Sequence, residues 1–166
     1  MQKYIVSAFL LVVFISLVAL AIRVWLNRRG AQEQVLEQPS GPFDSETLES
    51  ASGFYVATTF AGEPLNRVSA FGLGHRGKAD FALSAEGISI IRQGENSFAI
   101  RKADISAISL QQGTIDRVVE SEGLISIVWQ LGQSSVETSL RIVDKSSRTS
   151  FYAALDNLAS KEVKND

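Results

Sequence analysis

Cysteine is missing from this 166-residue chain. That excludes disulfides, thiolate nucleophiles and zinc sites built on Cys, and it fits a reducing compartment. Histidine occurs once, as His75, so no mechanism can draw on a pair of imidazoles. The formal net charge is −2 and no long basic stripe runs along the chain. The electrostatic footprint of a nucleic-acid binder is therefore absent. No G-x-S-x-G elbow marks a serine nucleophile, and His75 has no evident nucleophile partner. The carboxylates Asp116, Glu120 and Glu122 read as solvated charges around a turn. These absences leave no catalytic set, and no cofactor or metal is expected. No internal repeat is visible.

What the chain does have is apolar length. Tyr4 to Ile22 run for nineteen positions without a charge, broken only by Ser7 and Ser16. With a helical rise of about 1.5 Å per residue, roughly 20 such residues cross the hydrocarbon core of a bilayer. Arg23, Trp25, Arg28 and Arg29 come next. An arginine one turn inside the end can snorkel, and Trp suits the interface. The rival reading is a cleaved signal peptide, because Ala19-Leu20-Ala21 has the small-x-small look. The length of the run, its resumption at Val24-Trp25-Leu26 and its closing arginines favour an uncleaved anchor over residues 1–29. Three arginines come after the span and only Lys3 and the terminal amine precede it. The positive-inside bias then places the N-terminus outside and the remainder in the cytoplasm, on the inner membrane.

Residues 30–52 form a polar stretch with Gly41-Pro42 and five carboxylates (Glu33, Glu37, Asp44, Glu46, Glu49) but no basic residue. The expected conformation is an extended or disordered linker. Such a linker is either repelled by an anionic leaflet, holding the C-terminal domain off the surface, or a merely solvated spacer.

From Gly53 onward about 115 residues remain, a common size for one compact domain. Phe54, Val56, Thr58 and Phe60 alternate with Tyr55, Ala57 and Thr59. The same period of two recurs at Ile125, Ile127, Trp129 and Leu131, and at Val136, Thr138, Leu140 and Ile142. Shorter strands fit Ala79–Ser84, Ile88–Arg92, Ser97–Arg101 and Ile105–Leu110. They are punctuated by turns at Ala85-Glu86-Gly87, Gly94-Glu95-Asn96, Gln112-Gly113 and Leu131-Gly132-Gln133. Seven half-buried antiparallel strands make a small barrel or sandwich. Phe151, Ala154, Leu155 and Leu158 then recur at helical spacing, with Asp144 or Ser147 as the cap, so a C-terminal helix closes a mainly β domain over 53–160. Lys161 and Lys164 suit the negative end of that helix, and residues 161–166 form a charged tail.

Several stretches together resemble a known family. Gly87-Ile88-Ser89-Ile90-Ile91-Arg92-Gln93-Gly94, with Phe98-Ala99-Ile100 and Ile105-Ser106-Ala107-Ile108 after it, looks like the central hairpin of bacterial pleckstrin-homology (PH)-like domains. Gly53-Phe54-Tyr55-Val56-Ala57-Thr58-Thr59, the Arg67–Gly77 region and Val128-Trp129-Gln130-Leu131-Gly132 are similar to actinobacterial membrane-anchored PH-like proteins. The resemblance covers roughly Ser52 to Leu158 plus the N-terminal span. It implies a seven-stranded PH-like barrel or sandwich closed by a helix, and no activity. Members are sometimes labelled transporter, but one span cannot by itself form a substrate pathway.

Gly72-Leu73-Gly74-His75-Arg76-Gly77-Lys78-Ala79 satisfies G-x-G-x-x-G and matches a phosphate loop up to its last position, where Ala79 replaces the magnesium-binding hydroxyl. Both motifs require a helix to follow, whereas Ala79–Ser84 reads as a strand. The plain reading is a tight glycine bend. The resemblance adds one possibility, since PH domains often bind phosphoinositide headgroups on the loop between their first two strands. That connection would run from Ala61 to Lys78 and carry Arg67, His75, Arg76 and Lys78, four potential cations for an anionic lipid. Glu63 and Asp80 dilute the charge, and a solvated face is the competing reading.

The expectation is a non-enzymatic interaction or scaffold module on a membrane, with a protein partner docking at a strand edge or beside the C-terminal helix. The alternative is an anionic lipid or phosphate ligand on the Arg67–Lys78 loop. A phosphate-dependent enzyme is the remote third option.

Overall fold

The structure, a computed structural model, describes residues 2–111 and 123–160. The turn at Gln112-Gly113, the carboxylates Asp116, Glu120 and Glu122, and Lys161 and Lys164 lie outside the described residues.

Helix α1 spans Gln2–Val35. Its apolar positions are open, with Phe9 67% and Leu20 58% exposed, unlike those of a helix buried in a soluble core. By length and composition α1 can cross a membrane. It also corrects the extended linker expected from Gly30, because residues 30–35 are helical. Ala31, Gln32, Glu33 and Gln34 are good or tolerable helix formers, and a lone glycine costs only about 1 kcal/mol. Apolar periodicity is lacking because just Gln32 and Leu36, one turn apart, need to face the domain.

Eight strands come after it: β1 (Glu49–Phe60), β2 (Glu63–Arg67), β3 (Gly77–Ser84), β4 (Gly87–Arg92), β5 (Phe98–Arg101), β6 (Ile105–Gln111), β7 (Leu124–Leu131) and β8 (Ser134–Arg141). Every pairing is antiparallel, in the order β5-β4-β3-β1-β8-β7-β6, with β2 added to β1. Strands β5 and β6 lie at opposite ends of this path, yet only the 3-10 turn Lys102–Asp104 separates them. The sheet must therefore roll until its two edges approach, giving the barrel-like shape expected.

The strand missing from the seven expected is β2. It lacks alternation, carries Pro64 and is exposed over most of its length, so no core-facing pattern marks it. Strand β1 is the hub. Its first half pairs with β3 from Glu49↔Leu83 to Tyr55↔Gly77, and its second half pairs with β8 from Phe54↔Arg141 to Phe60↔Val136. A Cβ on Gly53 would stand 2.1 Å from the Arg141 carbonyl oxygen, so glycine alone permits that approach.

Helix α2 (Lys145–Ser160) packs on β1, β6 and the 102–104 turn. Phe151 and Leu155 are fully buried, with Ala154 and Leu158 half-buried beside them. Of the two cap candidates it is Asp144 that caps, its carboxylate accepting from the Ser147 amide at 2.7 Å. Hydrogen bonds from Ser146 and Ser147 hold this carboxyl at about 2.

The segment between α1 and β1 belongs to the same body. Leu36 sits in the core at 4% exposure, the Ala99 amide donates to the Ser40 carbonyl at 2.8 Å, and the Phe43 amide donates to Ser89 Oγ at 3.0 Å. Leu36–Ser40 thus reaches the outer edge of β5.

Burial at Leu155 and Leu36 can be tested directly. Leu155→Asp is expected to unfold the domain, because a buried carboxylate either stays charged at a cost of several kcal/mol or takes up a proton. Circular dichroism melting checks this, and a melting point within a few degrees of wild type would show the position to be exposed. A chain begun at Ser50 should be less stable to urea than one begun at Ala31, by at least the ~1.5–3 kcal/mol that burial of Leu36 contributes. Equal midpoints would contradict a structural role for residues 31–49.

Candidate functional site

The glycine segment after β2 is short of charge partners but rich in backbone ones. Val68, Ala70 and Leu73 are fully buried. The Leu73 carbonyl accepts from the Thr58 amide at 2.9 Å and from the Tyr55 hydroxyl at 2.5 Å. Because the one phenolic proton goes to Leu73, the other hydroxyls are fixed in order. Thr58 donates to Tyr55 at 2.7 Å, Thr138 donates to Thr58 at 2.7 Å, and the Trp129 indole donates to Thr138 at 2.9 Å. Burial pushes the Tyr55 phenol well above its ordinary range, so it stays a donor. The segment read as a tight glycine bend is thereby tied to the core of the sheet. Strand β3 begins at once, so the phosphate-loop geometry of strand, loop and helix does not form.

Gln32 grips the same segment from outside. Its side-chain oxygen accepts from the Ser69 amide at 2.6 Å and the Ala70 amide at 3.2 Å, and its amide nitrogen donates to the Arg67 carbonyl at 3.3 Å. Between these fixed points the chain makes a 3-10 turn, Ala70–Gly72, with Phe71 at φ 54° and Gly72 at φ 71°. A left-handed phenylalanine is held at a cost of about 1–3 kcal/mol. Its side chain lines a cavity.

That cavity, of about 340 Å³, lies between α1 and the sheet; Trp25, Phe71, His75, Arg92, Glu95 and Phe98 are among its walls. Arg92 is the buried member, 5% exposed, with its guanidinium 4.9 Å from the Tyr55 ring centre and 5.3 Å from that of Phe98. Nε donates to the Asn96 carbonyl and Nη1 to the Gly72 carbonyl, each at 2.8 Å, while Nη2 also donates to Asn96. The β4–β5 turn and the glycine segment are joined through this one side chain. Burial lowers its pKa, but an arginine remains charged. Three of its five N–H groups are used, leaving one on each terminal nitrogen. Glu95 and His75 stand at the exposed side, Nδ1 to Oε1 3.0 Å apart.

Of the four residues singled out by the resemblance, only His75 reaches the cavity. Arg76 lies over the Phe54 ring at 5.9 Å, and Lys78 is the register partner of Phe54. Arg67 is opposite Thr59, five residues further along β1 or roughly 16 Å at the usual strand rise. The four cations do not converge. Arg92 was legible in principle: Ile88, Ile90 and Arg92 share one parity, which places a cation on the inward face of β4. Trp129, in the alternating run of β7, is buried and stacks with Phe98 at 6.3 Å.

Residues 32–156 match the family model described as bacterial PH domain-like. No curated protein sequence matches this one. A chain of the 8S snRNP assembly intermediate is similar at TM-score 0.49 and 12% identity, over 75% of this chain and 90% of that one. A Vav1 structure inhibited by an allosteric inhibitor is similar at TM-score 0.42 and 6% identity, over 70% of this chain and 27% of that one.

Tyr55→Phe is expected to cost about 1–3 kcal/mol, because it leaves the buried Thr58 hydroxyl without its acceptor and unpicks the order of the chain behind it. Urea denaturation measures the loss. No change in midpoint would mean that the hydroxyls do not form this directed chain.

Proposed function

Because the chain belongs to the bacterial PH domain-like family, we propose that it is a single-span membrane protein whose cytoplasmic sheet domain is a non-enzymatic interaction module. The observation that carries this reading is the unbroken run of α1 from its exposed apolar face into the domain, where Gln32 and Leu36 dock. An apolar surface of that length needs a cover, and a bilayer supplies one. Arg23, Arg28 and Arg29 after the span, against Lys3 and the amine before it, favour a cytoplasmic domain. The carrying unit runs from Gln32 to Ser160. It stands directly on the membrane, with no repelled acidic tether between.

The protein-binding role rests on an asymmetry of edges. The outer edge of β5 is engaged by Ser40, whereas among the described residues β6 has a strand on one side only. Ser106, Ala107, Ser109 and Leu110 are exposed there. An open edge beside a helix accepts an extended peptide as a further strand. The alternative, an anion gathered by Arg67, His75, Arg76 and Lys78, is disfavoured by their separation.

A reporter active only outside the membrane, fused after Asp166, should be silent. A photo-crosslinking residue at Ser109 should capture one protein in intact membranes, equally at about 0.1 M and about 1 M salt. Strong reporter activity would reverse the topology, and capture lost in high salt would return the function to the loop cations.

A further inference from the structure

We propose that the cavity between α1 and the sheet holds a phospholipid headgroup with a phosphodiester and an ammonium. The phosphate lies against Arg92 and the ammonium against Glu95 and the ring of Trp25. The proposal rests on the reading of α1 as a membrane span.

Depth is the first argument. The uncharged run ends at Ile22, and Trp25 is three residues on, about 4.5 Å along the helix axis. The headgroup layer on each side of the hydrocarbon is roughly 5–7 Å thick. Trp25 therefore stands among headgroups, and every residue that shares a cavity with it stands near that depth. Gln32 fixes the opposite wall by clamping the Ser69–Ala70 backbone, so helix and loop cannot separate without breaking that clamp.

Chemistry selects the ligand. Arg92 is buried, no carboxylate among the described residues is hydrogen-bonded to it, and it keeps an N–H on each terminal nitrogen. The Glu95 carboxylate acts on this charge from the same cavity but makes no hydrogen bond to the guanidinium, whose fork fits two oxygens of one phosphate. A purely anionic headgroup would meet a second constraint, since the Glu95 carboxylate stands at the same cavity, paired with His75. A headgroup with a positive end satisfies both charges. Trp25 and Phe71 add ring faces, and aromatic faces attract ammonium groups. A volume of about 340 Å³ is at the lower end of the range for small-ligand sites.

The test uses the full-length chain in micelles carrying equal amounts of phosphatidylethanolamine and phosphatidylglycerol, with retained lipid read by native mass spectrometry. Phosphatidylethanolamine should be retained over phosphatidylglycerol by at least about tenfold. Glu95→Gln, an exposed and isosteric change, should bring that ratio close to one while lipid is still bound. Arg92→Lys, checked for folding by its melting curve, should lower retention of both lipids. Equal retention by the wild type, a preference for phosphatidylglycerol, or a ratio unmoved by Glu95→Gln overturns the proposal. Displacement by free phosphoethanolamine as effective as by the whole lipid assigns the site to a soluble ligand and overturns the lipid source. Quenching of Trp25 by headgroup-level quenchers, with buried Trp129 as the internal control, tests the span separately. Quenching without lipid preference defeats this proposal alone, whereas no quenching defeats the span on which it rests.

Discussion

The side-chain amide of Gln32 closes a contact between two parts of the chain with very different surfaces. On one side is a helix whose apolar residues are open along most of its length; on the other is a rolled sheet with a water-facing surface. Among the described residues the Gln32 side chain bonds to backbone, at the amides of Ser69 and Ala70 and the carbonyl of Arg67. Backbone partners make the contact insensitive to which side chains occupy that segment. They also leave three peptide groups that would need other partners if the helix moved away. Leu36, one turn further, adds an apolar plug to the same join.

The glycine segment gains its shape from being held on both sides. From within, the Leu73 carbonyl terminates a directed chain of hydrogen bonds that begins at the Trp129 indole. From without, Gln32 binds the backbone groups of Arg67, Ser69 and Ala70, and the buried Arg92 takes the Gly72 carbonyl. The left-handed Phe71 is tolerable only between such fixtures. A packed hinge of this kind cannot wrap a nucleotide, although its spelling comes close to a phosphate loop.

Much of this architecture can be read from residue order. Period-two alternation of residue types marks β1, β7 and β8, and the stripe of Phe151 and Leu155 marks the closing helix; β8 and the helix each bury one face, while β7 is buried on both over most of its length. Strand β2 escaped because it buries almost nothing, and helicity beyond Gly30 escaped because two docking residues are too few to make a period. The site was harder. Cations close in sequence, such as Arg76 and Lys78, advertise themselves, but their side chains lie on the outer side of the sheet at Phe54. The residues that meet around the cavity come from α1, the glycine segment and the β4–β5 turn, and nothing in their spacing announces the meeting. Only the parity of Arg92 with Ile88 and Ile90 hinted at it.

An uninterrupted helix also behaves as a lever. Spanning helices meet thinner or thicker bilayers by changing tilt, at a modest energy per ångström of mismatch. With a flexible tether such a change would stop at the membrane surface. Here the helix runs on to Val35 and is latched to the sheet, so, on the proposed reading of α1 as a span, tilt in a bilayer becomes rotation of the whole domain. The open edge of β6 would then sweep toward or away from the membrane as bilayer thickness changes, making lipid composition a mechanical input to whatever docks there.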